Sequence, residues 1–266
     1  MGNSDVGVRH DGNVNNAQLN HDIAGDSALL AGISATGFFP LEHGSSLSVT
    51  GETRVESYDR YTGLNNLSLG AALAFRKKWA LGPYAPWTGL SLSSAHLNYS
   101  NNIRNGWRHQ VAIRGGERIL ERWNVRAEYL YERRTAKTQQ PDQPGISGDI
   151  FSYNSRAVTL NAEYAWDESI FLTCGVLLRR GGVVATTSET ANMIASSEAI
   201  ADDPVFGEHF YAYRMYGTTR GLDVGLNVAV SRNSLLRASI SRLLTHTAGD
   251  NDYAKTVQTV SWNYSY

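Results

Sequence analysis

The feature that most constrains the fold is an alternation of apolar and polar residues that recurs along the whole chain. The segment "LSLGAALAF", residues 67–75, places leucine, alanine and phenylalanine at odd positions with small residues between them. Similar segments lie at 29–39, 47–56, 123–134, 158–166, 170–178, 222–230 and 236–244. A period of two indicates β-strands with one apolar and one polar face. The chain accommodates about twelve such strands, which predicts an all-β fold.

The links between these segments alternate in length. Short links at 165–169 and 231–234 interleave with longer polar links such as 11–26, 135–149 and 185–208. Antiparallel strands joined in this way have tight turns at one end and long loops at the other. The pattern predicts one domain, residues 1–266, folded as a closed antiparallel transmembrane β-barrel with short periplasmic turns, long extracellular loops and both termini at the short-turn end.

Composition excludes several other classes of protein. The formal net charge of -1 at pH 7 gives no reason to expect a nucleic-acid partner. No apolar run approaches the ~18 residues that a membrane helix needs. The one cysteine, Cys174, permits no internal disulfide, and no metal or cofactor motif is present. A soluble β-sandwich or lipocalin-like barrel also alternates, but about twelve strands closed around an apolar interior would leave a lumen too wide to fill.

Aromatic residues and one parity change give two further predictions. Aromatic residues near the short links and near the long loops predict one girdle at each membrane interface. The first set is Trp79, Tyr84, Trp87, Trp123, Tyr164, Trp166, Trp262, Tyr264 and Tyr266, and the second is Tyr58, Tyr61, Tyr99, Trp107, Tyr131, Tyr153 and Tyr216. Between residues 84 and 99 the apolar positions change from even to odd numbers, which predicts a β-bulge near Ser93 and Ser94.

The chain ends "VSWNYSY", in which Val260, Trp262, Tyr264 and Tyr266 alternate with polar residues. This ending resembles the C-terminal signal of Gram-negative outer-membrane β-barrel proteins, whose final aromatic residue the barrel-assembly machinery recognises. The resemblance implies a bacterial outer-membrane location, surrounded by lipid and lipopolysaccharide. Size and strand number look like the twelve-stranded group, which includes narrow acidic-sugar channels, a nucleoside channel, a phospholipase and autotransporter translocators. Residues 1–10 lack the features of a signal peptide, so we expect an exported form to follow a removed leader.

Parity also assigns charged residues to the lumen face. The basic set is Arg54, Arg76, Arg108, Arg114, Arg126, Arg134, Arg179, Arg237 and Lys255, and the acidic set is Glu52, Glu56, Glu128, Glu132, Glu163 and Asp223. Rings of arginine and lysine select anions. The sequence therefore predicts a porin-like channel that passes small hydrophilic, anionic solutes through a narrow arginine-rich lumen.

Three alternatives remain open from the sequence. Arginine and glutamate could pair across strands and fill the interior, so that no solute passes. The chain could be the membrane-pore domain of a larger secretion or polysaccharide export protein with a periplasmic domain upstream. It could also be an outer-membrane hydrolase with a rim active site, for which Ser94, His96 and Asn98 supply suitable side chains without reproducing a known motif. Separately, the composition of residues 189–201 predicts a short helix in the longest loop.

Overall fold

The protein is a closed antiparallel β-barrel. The computed structural model describes residues 1–141, 145–188, 191–248 and 252–266. The strands are β1 Gly2–Asp11, β2 Asp26–Pro40, β3 Ser45–Tyr58, β4 Asn66–Lys78, β5 Trp87–Tyr99, β6 Gly106–Leu120, β7 Trp123–Ala136, β8 Tyr153–Ala165, β9 Ile170–Ser188, β10 Ala199–Asp202, β11 Phe210–Ser231, β12 Ser234–Thr247 and β13 Tyr253–Ser265. Twelve of them form the wall, and the short β10 pairs with an extension of β11 above it.

Two pairings close the wall. The last strand, β13, pairs with β1 through partners that include Val6 with Trp262 and Val8 with Val260, and β9 pairs with β11. Each wall strand therefore has a hydrogen-bonded neighbour on both sides. Closure satisfies the backbone polar groups without a free edge, which is what a sheet needs in order to cross a membrane. The predicted fold class is confirmed, and both chain termini lie at the short-turn end, where Tyr266 N donates to Gly2 O at 3.0 Å.

The outer face of the wall is apolar and exposed. Leu69 is 63% exposed, Leu160 50% and Leu226 39%, and such side chains recur on every wall strand. An apolar surface this extensive is far larger than a water-soluble monomer carries, so it requires a lipid environment. In the described residues, no helix has the length and apolar character to cross a membrane.

The predicted β-bulge in β5 is wrong. Ser93 pairs with Gln110 and Ser94 with His109 in an uninterrupted register. Apolar residues shift to odd positions because Ala95 and Leu97 face the interior, where they are buried to 5% and 4% exposure. The change of parity therefore reflects two apolar side chains buried on the inner face of β5 and not a slipped strand.

The two predicted aromatic girdles differ in accuracy. At the short-turn end, the ring centroids of Trp123 and Tyr164 lie 5.0 Å apart on the outer face, as expected for a girdle. Trp87, in contrast, occupies an inward position of β5. At the long-loop end, Trp107, Tyr131 and Tyr216 occupy outward positions. Tyr58, Tyr99 and Tyr153 occupy inward positions, so the second girdle is only partly correct.

The long loops fold over their end of the barrel. Those used below are L1 (12–25), L2 (59–65), L3 (100–105) and L5 (189–209). L5 carries β10 and a short helix, α1 Ala191–Ser196, so the predicted helix is present, while positions 189 and 190 lie outside the described residues. Phe206 of L5 reaches Tyr61 of L2, with 4.8 Å between ring centroids. L5 therefore crosses from its own strands toward the loops of the opposite wall.

Candidate functional site

The strand register determines which charged residues face the lumen. Arg54, Arg76, Arg108, Arg114, Arg126, Arg134, Arg179, Arg237, Glu52, Glu128, Glu132 and Glu163 occupy positions opposite in parity to the exposed apolar residues. The same face carries Asp5, Arg9, Asp11, Lys78 and Arg118, which sequence reasoning missed. The only apolar signal in β1 comes from Val6 and Val8, too short a pattern to predict a strand. Knowledge that β13 pairs with β1 would have revealed Asp5, Arg9 and Asp11.

Most inner-wall carboxylates already have polar partners. Arg9 Nη2 lies 2.8 Å from Glu56, Lys255 Nζ 2.8 Å from Asp11, and Arg54 Nε 3.5 Å from Glu52, while Arg114 pairs with Glu128. Glu132 accepts from Gln110 Nε2 at 2.7 Å, and Asp223 accepts from Ser241 Oγ at 2.6 Å. Asp11, Glu52, Glu56 and Glu128 are balanced by basic partners. Glu132 and Asp223 are bonded to neutral groups and keep their negative charge, but the arginines and lysine of this face that lack an ion-pair partner among the described residues outnumber them. The charge left over on this face is therefore mainly that of arginine and lysine.

At the short-turn end, the lumen opens into a cavity of about 580 Å³, which we call the vestibule. Its basic lining residues are Arg76, Lys78, Arg118, Arg122 and Arg126, and its acidic lining residue is Glu163. The Arg76 guanidinium lies 4.4 Å from the Trp87 ring centroid, a cation–π contact that leaves the positive charge in place. Within the described residues, none of the basic groups of the vestibule forms an ion pair with a carboxylate. The vestibule is therefore a concentration of positive charge.

A second cavity, of about 310 Å³, lies inside the barrel at the long-loop end. It is lined by basic side chains (Arg104, Arg134, Arg179 and Lys255) and by aromatic ones (Phe151, Tyr153, Phe206 and Tyr253). Lys255 is paired with Asp11, and Arg179 Nη2 donates to Gly182 O at 2.9 Å. This cavity shares no lining residue with the vestibule, so the two are separate cavities.

L1 closes part of the long-loop mouth by docking on β9. The backbone N–H of Thr186 donates to Asn15 O at 2.7 Å, and Asn15 Nδ2 donates to Thr186 O at 2.8 Å. Asp22 accepts from Ser188 N at 2.9 Å, from Ser188 Oγ at 2.7 Å and from Thr187 Oγ1. Burial alone would raise the pKa of the Asp22 carboxyl, but the hydrogen bonds from Thr187 and Ser188 bring it below its ordinary value. Asp22 is therefore ionised at neutral pH and ties L1 to the wall.

L5 is held by a second contact, the mouth clamp, formed by Arg104, Thr186 and Asp203. The Asp203 carboxylate is fully buried and accepts from Thr186 Oγ1 at 2.6 Å and from Arg104 Nη2. The Arg104 guanidinium also lies 4.4 Å from the Phe151 ring centroid. The clamp joins L3, L5 and β9 across the lumen, so the loops over the mouth form one hydrogen-bonded unit.

The residues considered for a hydrolase lie on the outer face. Ser94, His96 and Asn98 occupy outward positions of β5, and Ser94 Oγ lies 3.0 Å from Nδ1 of His109 on β6. A serine within hydrogen-bond distance of a histidine has the geometry that a nucleophile and its general base require. In the part of the chain that the structure describes, no hydrogen bond joins a carboxylate or amide side chain to His109. The pair therefore lacks the third group that orients the base in a triad.

A closed barrel with an apolar outer face, partnered charges inside and loops over one mouth is the architecture of outer-membrane β-barrel proteins. An outer membrane channel from Pseudomonas putida F1 is similar, with a TM-score of 0.66 and 11% identity over 100% of this chain and 95% of that one. The NanC porin is similar with a TM-score of 0.53 and 11% identity over 98% of this chain and 100% of that one. These likenesses show the fold alone. No family model matches the chain, and no curated protein matches its sequence.

Proposed function

We propose that the protein is a narrow channel of the bacterial outer membrane that passes small hydrophilic solutes and prefers anions. The observation that carries the proposal is the vestibule, where Arg76, Arg122 and Arg126 have no carboxylate partner among the described residues. Asp11, Glu52, Glu56 and Glu128 of the inner wall, by contrast, each have a basic partner. Fixed charge in a narrow low-dielectric tube acts strongly on entering ions, and basic rings favour anions.

The loops over the long-loop mouth add a second property to the proposal. L1 and the mouth clamp restrict entry from that side, so the open channel requires part of this loop unit to move. The similar proteins are named as a porin and as an outer membrane channel, which supports a channel here and says nothing of the solute. The second cavity, at the long-loop end, is lined by basic and aromatic side chains, and the vestibule is basic. Together they favour a small anionic solute.

Planar-bilayer recording of the purified barrel under a salt gradient tests the proposal. The wild type should give a reversal potential on the anion-selective side, and Arg76→Gln/Arg126→Gln should move it toward zero. The matched control is Arg220→Gln/Arg242→Gln, which removes the same two charges from outward positions on β11 and β12. Cation preference in the wild type would refute the anion claim. Absence of conductance would refute the channel and favour a filled barrel or the membrane-pore domain of a larger export protein.

We also propose that Val260, Trp262, Tyr264 and Tyr266 form the signal that the barrel-assembly machinery reads. All four are exposed, between 45% and 60%, at outward positions of β13 or its end. The rings of Tyr264 and Tyr266 stack with 6.3 Å between centroids. These side chains are therefore on the outer surface, where an assembly factor can contact them.

The Ser94–His109 pair favours a second candidate function, hydrolysis of lipid esters at the outer rim. A fluorogenic phospholipid presented in mixed micelles would report ester cleavage. Release by the wild type that is abolished in Ser94→Ala and reduced in His109→Gln would establish it. Equal release by the wild type and Ser94→Ala would eliminate it.

A further inference from the structure

A row of arginines lies on the outer face of the barrel at the long-loop border of the apolar band. Arg133 on β7, Arg156 on β8, Arg180 on β9 and Arg220 on β11 are exposed and share the outward parity of the apolar residues. From the short-turn end toward the long-loop end, each outward row changes from apolar residues to arginine. On β8 the order is Leu160, Val158 and Arg156, and on β9 it is Val176, Leu178 and Arg180. In a barrel oriented by its apolar band, this border is the level of the lipid headgroups.

The charges of this row are not compensated by the protein. The outward positions of β7, β8, β9 and β11 carry no aspartate or glutamate. Among the described residues, none of the four arginines belongs to an ion pair. Arg156 and Arg180 are direct register partners on adjacent strands. Like charges placed opposite each other destabilise a sheet, so an anion bound between the two arginines would relieve their repulsion.

The surface below the pair has the shape and polarity of a lipid site. Arg156 and Arg180 lie in a groove of about 520 Å³ whose other walls include Tyr129, Tyr131 and Tyr216. Val158 and Leu178 also line it, on the side toward the apolar band. The groove therefore offers guanidinium groups to a headgroup, tyrosine rings at the interface and aliphatic side chains to an acyl chain.

The neighbouring groove is less suited to an anion. It has a volume of about 680 Å³ and is lined by Arg180, Arg220 and Leu244. Asp252 also lines it and lies 2.5 Å from His246 Nδ1. A carboxylate beside the opening opposes a phosphate, so the site is centred on Arg156 and Arg180, with Arg220 at its margin.

We infer that this groove, the outer arginine groove, binds the phosphate-bearing headgroup of a membrane lipid. Guanidinium groups bind phosphate oxygens through paired, charge-assisted hydrogen bonds. A phosphate between Arg156 and Arg180 would also remove their mutual repulsion. The adjoining Val158 and Leu178 favour a lipid over free phosphate as its source. The inference concerns the outer wall and does not depend on what passes through the lumen.

Native mass spectrometry of the purified barrel in nonionic detergent tests the inference, with diphosphorylated lipid A as the probe and diacylglycerol as the phosphate-free comparison. The wild type should retain lipid A at least about tenfold more than Arg156→Gln/Arg180→Gln does, because two charge-assisted contacts are lost. The matched control Arg54→Gln/Arg126→Gln, which removes two lumen-facing arginines, should bind like the wild type. Millimolar inorganic phosphate should displace little lipid A.

Several outcomes would overturn the inference. The wild type would retain lipid A and diacylglycerol equally, or it would bind lipid A no better than Arg156→Gln/Arg180→Gln does. Full displacement of lipid A by inorganic phosphate would also overturn the inference. The wild-type comparison remains decisive even where the double variant does not fold. Thermal unfolding gives an independent measure. Without lipid, Arg156→Gln should unfold at the same temperature as the wild type or higher, since repulsion is relieved, whereas only the wild type should gain stability when lipid A is added.

Discussion

Breaking the mouth clamp should open the channel without unfolding the barrel. Asp203 is fully buried and the Arg104 side chain is 12% exposed, so Asp203→Ala leaves a guanidinium nearly out of water with no carboxylate partner. Removing one partner of a buried ion pair costs about 3 to 5 kcal/mol. At about 1.4 kcal/mol per factor of ten, this shifts the balance between docked and undocked loops by roughly two to four orders of magnitude. The wall strands keep their hydrogen bonds, so the cost falls on L3 and L5.

Single-channel recording and thermal unfolding measured on the same preparations separate these effects. Asp203→Ala should raise the conductance or the open fraction while the unfolding temperature of the barrel changes little. The double variant Arg104→Met/Asp203→Leu should remain closed, because apolar replacement of a buried ion pair is often neutral. Wild-type conductance in Asp203→Ala, or unfolding of the barrel at a much lower temperature, would refute the idea that the clamp holds a separate lid.

Three other predictions concern the loop L1, the wall and assembly. The lowered pKa of Asp22 means that its contribution to docking is present above the ordinary carboxyl pKa of about 3.9 and is lost as pH falls through the lower folded-state value. Conductance should thus be constant from about pH 8 to 5 and rise below about pH 4. Asp22→Asn should show the raised conductance already at neutral pH. A variant with wild-type conductance at neutral pH would contradict this role of Asp22. Leu226→Arg should lower the free energy of unfolding by roughly 2 to 4 kcal/mol because it places a charge against lipid. Asn227→Arg should cost clearly less because residue 227 faces the lumen, and equal costs would show that the assigned faces are wrong. Tyr266→Ser should lower the yield of folded barrel in cells without altering unfolding in detergent, and a yield equal to that of the wild type would remove Tyr266 from the proposed signal.

The wall was predictable from the sequence because lipid imposes a strict period of two. Leu69 and Leu226 lie in long rows of outward apolar residues. These rows identify the strands whatever turn positions are assumed. The pattern fails where the surroundings of a strand change along its length. Ala95 and Leu97 are apolar because loops cover the interior above them, and a reader of the sequence cannot distinguish this from a shift of register.

Contacts inside the barrel were less predictable. Arg9 of β1 pairs with Glu56 of β3, two strands away, which depends on the curvature of the wall and not on spacing in the chain. The docking of L1 depends on the Asn15 amide meeting the backbone of Thr186, a contact with no periodic signal. The outward parity of Arg156 and Arg180 could be seen in the sequence. Because both lie at the ends of rows of apolar residues, the sequence alone suggests that a loop begins there.

The pairing of β13 with β1 has a consequence for the order of folding. Asn3 meets Ser265 and Val8 meets Val260, so the seam joins residues separated by nearly the full length of the chain. Contacts of such long range form late, because the entropy of closing the largest loop must be overcome before they contribute. Until the seam forms, β1 and β13 both present unpaired backbone groups, and β13 also presents Trp262 and Tyr264. Before closure, the sheet is therefore most prone to aggregation at β13, the strand that carries the terminal aromatic residues. A factor that shields this strand would act on the step that decides between closure and association with another chain.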